Sequence, residues 1–154
     1  MKKTLLLAFG LGVAIWLNYK KSVDRALQRA CDGGTMEACL DLGNRYRDRY
    51  RDGEGIPQDF ARVAILYEQA CNGGEMLACN NLGNMYQSSN TVTRNLTRAA
   101  GFHEQVCNGG VMRGCTNLGN MYQAGDGITQ DLSRAASLYE RACDGGWELA
   151  CARQ

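Results

Sequence analysis

Between residues 131 and 143 the apolar side chains Leu132, Ala135, Ala136, Tyr139 and Ala142 recur at i, i+3, i+4, i+7 and i+10, with Ser, Arg and Glu between them. This spacing predicts an amphipathic helix with one buried face. The pattern returns over about 59–71 and 95–107, and a partial copy covers about 22–31. A second helical pattern alternates with it, over about 35–48, 75–87 and 111–123, with a truncated copy at 147–154. We label the second kind helix A and the first kind helix B. Asp59 and Asp131 stand where an N-cap or first-turn acid belongs. Each helix B runs into Gly-Gly, as at Gly145-Gly146, and glycine accepts the left-handed conformation that ends a helix. No strand pattern is present, so the expected fold class is all-α.

The alternation is an internal repeat. Cysteines stand at 31, 39, 71, 79, 107, 115, 143 and 151, which is C-x7-C four times, with pair-to-pair periods of 40, 36 and 36 residues. The flanking text repeats as well: Ala30-Cys-Asp-Gly-Gly, Ala70-Cys-Asn-Gly-Gly, Val106-Cys-Asn-Gly-Gly and Ala142-Cys-Asp-Gly-Gly. After the second cysteine come Asp41-Leu-Gly-Asn-Arg-Tyr46, Asn81-Leu-Gly-Asn-Met-Tyr86 and Asn117-Leu-Gly-Asn-Met-Tyr122. Helical units at this period predict a stacked solenoid.

Each C-x7-C sets one thiol in the last turn of helix B and the other one turn into the next helix A. A tight Gly-Gly turn brings these ends together, so the expected disulfides are Cys31–Cys39, Cys71–Cys79, Cys107–Cys115 and Cys143–Cys151. Closing such short loops stabilises by about 2–3 kcal/mol each on the chain-entropy estimate. Three rival uses of the thiols are a zinc site, redox catalysis and buried reduced cysteines, and the C-x-x-C that redox catalysis favours is absent. Zinc sites space their ligands more closely than x7, and a cytosolic repeat protein would keep its cysteines reduced and buried. Four identical local pairs favour structural disulfides, hence an oxidising compartment.

Gly43, Gly83 and Gly119 recur inside helix A. A helix-interior glycine costs about 1 kcal/mol against Ala, so three in one register predict close approach of helix B. His103, the only histidine, falls in the helix-B register of Tyr67 and Tyr139, which makes it a core substitution rather than a catalytic base. A single histidine also excludes HExxH and binuclear metal hydrolases. No metal or other cofactor is expected.

Charge separates the two ends of the chain. The four lysines are Lys2, Lys3, Lys20 and Lys21, and from Ser22 onward 13 Arg face 16 acids. A slightly acidic domain is not expected to hold nucleic acid. Met1-Lys-Lys-Thr opens onto an apolar run at Leu5–Leu17, the layout of a signal peptide. At 13 residues the run is shorter than the roughly 20 that span a bilayer, and no clear cleavage site follows. Residues 1–21 are therefore expected to be a signal peptide or a short membrane anchor, with Trp16 and Tyr19 at the interface, and 22–154 the repeat domain. Lys20, Lys21, Arg25 and Arg29 would favour a cytoplasmic C-terminal side. The cysteines argue for export, and they are the stronger signal.

Leu118-Gly-Asn-Met-Tyr122, Gly125-Asp-Gly-Ile128 and Asp131-Leu-Ser-Arg-Ala135, followed by Tyr139 and Ala142, together resemble the Sel1-like repeat, a relative of the tetratricopeptide repeats. With C-x7-C added, residues 22–154 look most like the cysteine-rich subfamily secreted by some bacteria. They also resemble a disulfide-rich assembly factor of the mitochondrial intermembrane space. The resemblance implies a right-handed α-solenoid with intra-repeat disulfides, periplasmic or secreted, or resident in that intermembrane space. Departures are local: Ser88-Ser-Asn-Thr91 lacks the loop glycines and the first repeat carries four extra residues. Some members are described as penicillin-binding or β-lactamase-like. That chemistry needs Ser-x-x-Lys, and no Lys follows residue 21.

The expected function is a non-catalytic, monomeric scaffold that binds a protein or peptide on the concave face lined by helix A. Candidate contacts are the recurrent Asn44, Asn84 and Asn120, with Tyr46, Arg47, Tyr50 and Arg51 from the insertion Arg45–Asp52, which adds about one turn to the first helix A. The asparagines have an equal alternative use, bonding the neighbouring repeat. A β-lactamase-like or penicillin-binding hydrolase and a redox-linked assembly factor remain as other functional classes.

Overall fold

A computed structural model describes the backbone of residues 2–51, 59–88 and 92–153, and their side chains except those of 2–12, 14, 49–51 and 59. Among the described residues eight helices follow in chain order, α1 (Lys2–Asp32), α2 (Met36–Arg51), α3 (Asp59–Asn72), α4 (Met76–Gln87), α5 (Leu96–Asn108), α6 (Met112–Ala124), α7 (Leu132–Asp144) and α8 (Glu148–Cys151). No strand occurs among the described residues. Helices pack chiefly against their neighbours in the chain, the contact pattern of a solenoid. α2, α4, α6 and α8 are the A helices; α3, α5 and α7 are B helices.

Two boundaries differ from the sequence pattern. The helix expected at 22–31 is the end of α1, which runs unbroken from Lys2. No Pro, and no Gly beyond Gly12, interrupts the polar stretch joining the apolar run to the repeat, so nothing stops the helix. Along it Val13, Ile15, Trp16, Leu17 and Tyr19 are exposed, and the Lys20 ammonium lies 3.6 Å over the Trp16 ring. Among the described residues no helix is long and apolar enough to cross a membrane. α8 covers only Glu148–Cys151 of the expected 147–154. The lengthened first helix A is present: α2 reaches Arg51, where α4 and α6 have 12 and 13 residues.

The B-to-A turn is the same device four times. Cys31–Cys39, Cys71–Cys79, Cys107–Cys115 and Cys143–Cys151 are bonded, with Cα atoms 4.7, 4.7, 4.5 and 4.9 Å apart. Both glycines of the turn have a reason. The second is left-handed, as at Gly74 (φ 96°) and Gly110 (φ 82°), where a side chain would be strained. The first makes room: a Cβ on Gly73, Gly109 or Gly145 would collide with Met36, Met76 or Met112 of the preceding helix A. The three later turns are thus keyed to the unit before them, while Gly33 of the first meets only the Arg29 and Ala30 carbonyls of its own helix. Asp131 caps α7 by accepting the Arg134 N–H at 2.9 Å, and Asn95 caps α5 on Arg98 at 3.0 Å. The cap expected of Asp59 lies outside the described side chains.

Within each unit a ring of helix B lies on the interior glycine of helix A. A Cβ on Gly43 would stand 2.7 Å from Tyr67, one on Gly83 2.7 Å from His103, and one on Gly119 2.8 Å from Tyr139. All three rings are buried, at 2% exposure or less. Burial pushes the Tyr67 phenol up to about 12, so its hydroxyl stays a donor. At the first interface Arg45 Nε donates to the buried Asp24 carboxylate at 2.8 Å, tying α2 to α1.

Two outcomes follow from this packing. Gly119→Ala gains about 1 kcal/mol of helix propensity, but its methyl meets a ring whose hydroxyl is bonded to Asn120 and Gln123. Overpacking costs about 1–3 kcal/mol, so the urea midpoint is expected to fall. Gly101→Ala, in α5 with nothing within 4 Å, should raise it. Mild reductant followed by alkylation should label Cys143 and Cys151 first in a peptide mass map, because Cys151 is exposed while the other three bridges are buried.

Candidate interaction face

Asn44, Asn84 and Asn120 occupy one register of the A helices, next to the interior glycines, yet their surroundings differ. Asn44 Oδ1 accepts the Tyr67 hydroxyl at 2.7 Å and the Asn81 side-chain amide at 3.4 Å. Asn120 Oδ1 accepts the Tyr139 hydroxyl at 2.8 Å and Arg153 Nη1 at 2.6 Å. Both hold helices together. Asn84 is exposed, with no side-chain bond among the described residues. The cause is His103: the shorter imidazole bonds Gln87 at 3.1 Å instead. One substitution in helix B therefore frees the asparagine of the facing helix A.

The free amide borders a cleft of about 210 Å³ lined by Arg47, Tyr67, Asn81, Asn84, Met85 and Ser88. Its floor is the buried Met85 and Tyr67. Arg47 donates from Nε and Nη2 to Asp48 at 3.2 Å, a pair more than one-third exposed and so weak. Of the predicted contacts, the structure brings Arg47 and Asn84 to one cleft and leaves Asn120 in the next unit. Tyr46 does not join them; it is half-buried against the core, with the Arg62 guanidinium 4.8 Å over its ring. The side chains of Tyr50 and Arg51 lie outside the described residues. Asn81, Met85 and Ser88 were not predicted. Asn81 had a visible signal, since it stands in the repeated position of Asp41 and Asn117. Among the described residues no three His, Cys, Asp or Glu side chains gather as a metal ion would require.

His103 is fully buried, which removes it from contact with any substrate in solvent. Its Nδ1 has no hydrogen-bond partner among the described residues. Burial lowers its pKa from 6.5 to about 4. The unfolded chain therefore takes up a proton near pH 6.5 that the folded chain refuses until about pH 4. The stability tied to the neutral ring is complete above pH 6.5 and is lost as pH falls through this window, by about 3 kcal/mol in all. His103→Tyr should reach Asn84 and Gln87 as Tyr139 reaches Asn120 and Gln123. Chemical denaturation at pH 7 and pH 4.5 checks this: the variant should keep its pH 7 stability and lose most of the acid sensitivity.

Comparison with known proteins agrees with this architecture. The Sel1 repeat model matches residues 37–75, 77–111 and 113–147. Among solved structures, the chain is similar to Helicobacter pylori cysteine rich protein B, at 27% identity and TM-score 0.64 over 88% of this chain and 96% of that one. It is similar to a protective antigen of uropathogenic Escherichia coli with an SLR fold, at 27% identity and TM-score 0.60 over 83% of this chain and 34% of that one. A Sel1 repeat protein from Oxalobacter formigenes shares the fold at 20% identity and TM-score 0.67, over 82% of this chain and 49% of that one. No curated protein sequence matches the chain. With three successive matches laid over the disulfide-keyed helix pairs, the chain belongs to the Sel1 repeat family.

Proposed function

We propose that this protein is a non-catalytic scaffold that binds a protein or peptide partner along its A helices, centred on Asn84. The observation that carries this reading is the released asparagine: in the same register Asn44 and Asn120 are occupied by tyrosine hydroxyls, and only Asn84 is left exposed beside an open cleft. An exposed carboxamide offers donor and acceptor together, which suits a peptide group. Arg47, Asn81 and Ser88 add polar partners around an apolar floor, the composition of a small recognition site.

Four structural disulfides fit an oxidising extracellular or periplasmic environment. The exposed apolar residues of α1, between Val13 and Tyr19, followed by Lys20 and Lys21, support export through this segment, with membrane contact where it is retained. Against the hydrolase reading stands His103, which is buried in the core.

A photo-crosslinking residue placed at Asn84 or Ser88 in the native host should yield a discrete crosslinked product, and the same residue at exposed Glu140 of α7 should not. Equal products from both positions, or none from either, would overturn the assignment of the face. Turnover of a chromogenic β-lactam by purified protein would replace the scaffold reading with the hydrolase one.

A further inference from the structure

A second cleft exists where the repeat fails to close its own seam. In the register Gln28, Glu68, Glu104 the acceptor sits on one helix B, and in the register Arg62, Arg98, Arg134 the donor sits on the next. Arg62 Nη2 donates to Gln28 Oε1 at 2.9 Å, and Arg98 Nη2 to Glu68 Oε1 at 2.8 Å. Arg98 also donates to the Tyr86 hydroxyl at 2.6 Å, and Phe102 stacks on Tyr86 with ring centroids 5.9 Å apart. The third copy breaks the pattern. Arg134 lies 5.1 Å over Tyr122, but no ion pair joins it to Glu104 among the described residues, and its guanidinium has no acceptor there. In the register where the second unit has Phe102, the first has Leu66 and the third has Leu138, here beside Ser137.

A cleft of about 280 Å³ results. Leu118, Leu138 and the Tyr122 ring supply its apolar part, and Arg134 and Arg141 stand at its rim with Asn108, Ser137 and Glu104. Arg141 is held in place, donating to the Cys107 carbonyl at 3.1 Å and to Asn108 Oδ1 at 3.4 Å. It shares no lining residue with the Asn84 cleft.

We infer that this cleft takes the C-terminal end of a peptide whose last residue is apolar. The unpaired Arg134 fork matches a carboxylate in bidentate fashion. Two guanidinium groups against the single Glu104 leave the rim net positive, which complements the terminal charge. Leu118 and Leu138 receive the side chain. The Asn108 amide and Ser137 hydroxyl face the last peptide group, a partner that a simple carboxylic acid lacks. The volume suits about one residue.

The test uses the full, disulfide-bonded chain and the probe N-acetyl-glycyl-leucine, with its carboxamide and isovalerate as controls, followed by ¹H–¹⁵N NMR titration. The acid is expected to shift the amides of Tyr122, Arg134 and Leu138, and the carboxamide to bind roughly tenfold more weakly or worse. Arg134→Gln should weaken the acid to the same degree while the thermal unfolding curve stays in place. Leu138→Phe, which restores the residue type of the second unit, should abolish the shifts in a folded protein. Glu104→Gln should tighten binding. Equal binding of acid and carboxamide, shifts that survive Leu138→Phe, or no shifts at millimolar probe would overturn the proposal. Isovalerate binding as tightly as the peptide would overturn its peptide part and assign the cleft to small carboxylic acids.

Discussion

The turn between helix B and the next helix A is the constraint on which the rest depends. Seven residues lie between the bonded cysteines, and the Cα atoms lie within 4.9 Å of one another in every copy. The second glycine of each turn has a left-handed φ, and at the first glycine of the three later turns a methionine of the preceding unit fills the space. A covalent bond and a steric key therefore fix each helix pair, and through Met36, Met76 and Met112 the key passes between units. A small solenoid buries little surface per unit. Short-loop disulfides, worth about 2–3 kcal/mol each, matter more here than in a larger domain.

The contact of ring on glycine converts this frame into chemistry. Because Gly43, Gly83 and Gly119 bring helix B close, whatever ring stands opposite decides what the next asparagine of helix A does. A tyrosine is long enough to engage it, and the amide becomes part of the packing. Histidine is not, and the amide is released to solvent. The same substitution brings a titratable group into the core, where its Nδ1 has no hydrogen-bond partner among the described residues. An exposed asparagine in the second unit and an acid-sensitive core thus have one cause.

Much of this was legible in the residues. The 3.6-residue periodicity, the C-x7-C spacing and the glycine register located the helices, the bridges and the close approach of helix B, because each is a local or repeated constraint. His103 was readable as a core residue since Tyr67 and Tyr139 define its position. The fate of the three asparagines was not, because identical letters in one register are told apart only by the length of the side chain across the interface. Nor was the use of Tyr46, which packs inward under Arg62 instead of projecting with Arg47. The Arg45–Asp24 pair joins residues 21 apart on different helices, and no periodicity signals it. Gly-Gly-x-Met was present in the text, but its meaning needed the neighbouring unit in space.

In a repeat protein the ideal unit is set by stacking, so binding surfaces arise where a unit departs from it. Two departures here have defined geometric effects: His103 in place of a tyrosine, and Arg134 without the side-chain acceptor that Arg62 and Arg98 find on the preceding helix B. Each leaves open an interface its sister units complete, and each leaves a polar side chain without a hydrogen-bond acceptor or donor opposite it among the described residues, Asn84 in one case and the Arg134 guanidinium in the other. Neither loss threatens the fold, because the disulfide turns hold the helices whether or not these contacts form. The bridges relieve side chains between them of a structural duty, and those side chains become available to a ligand.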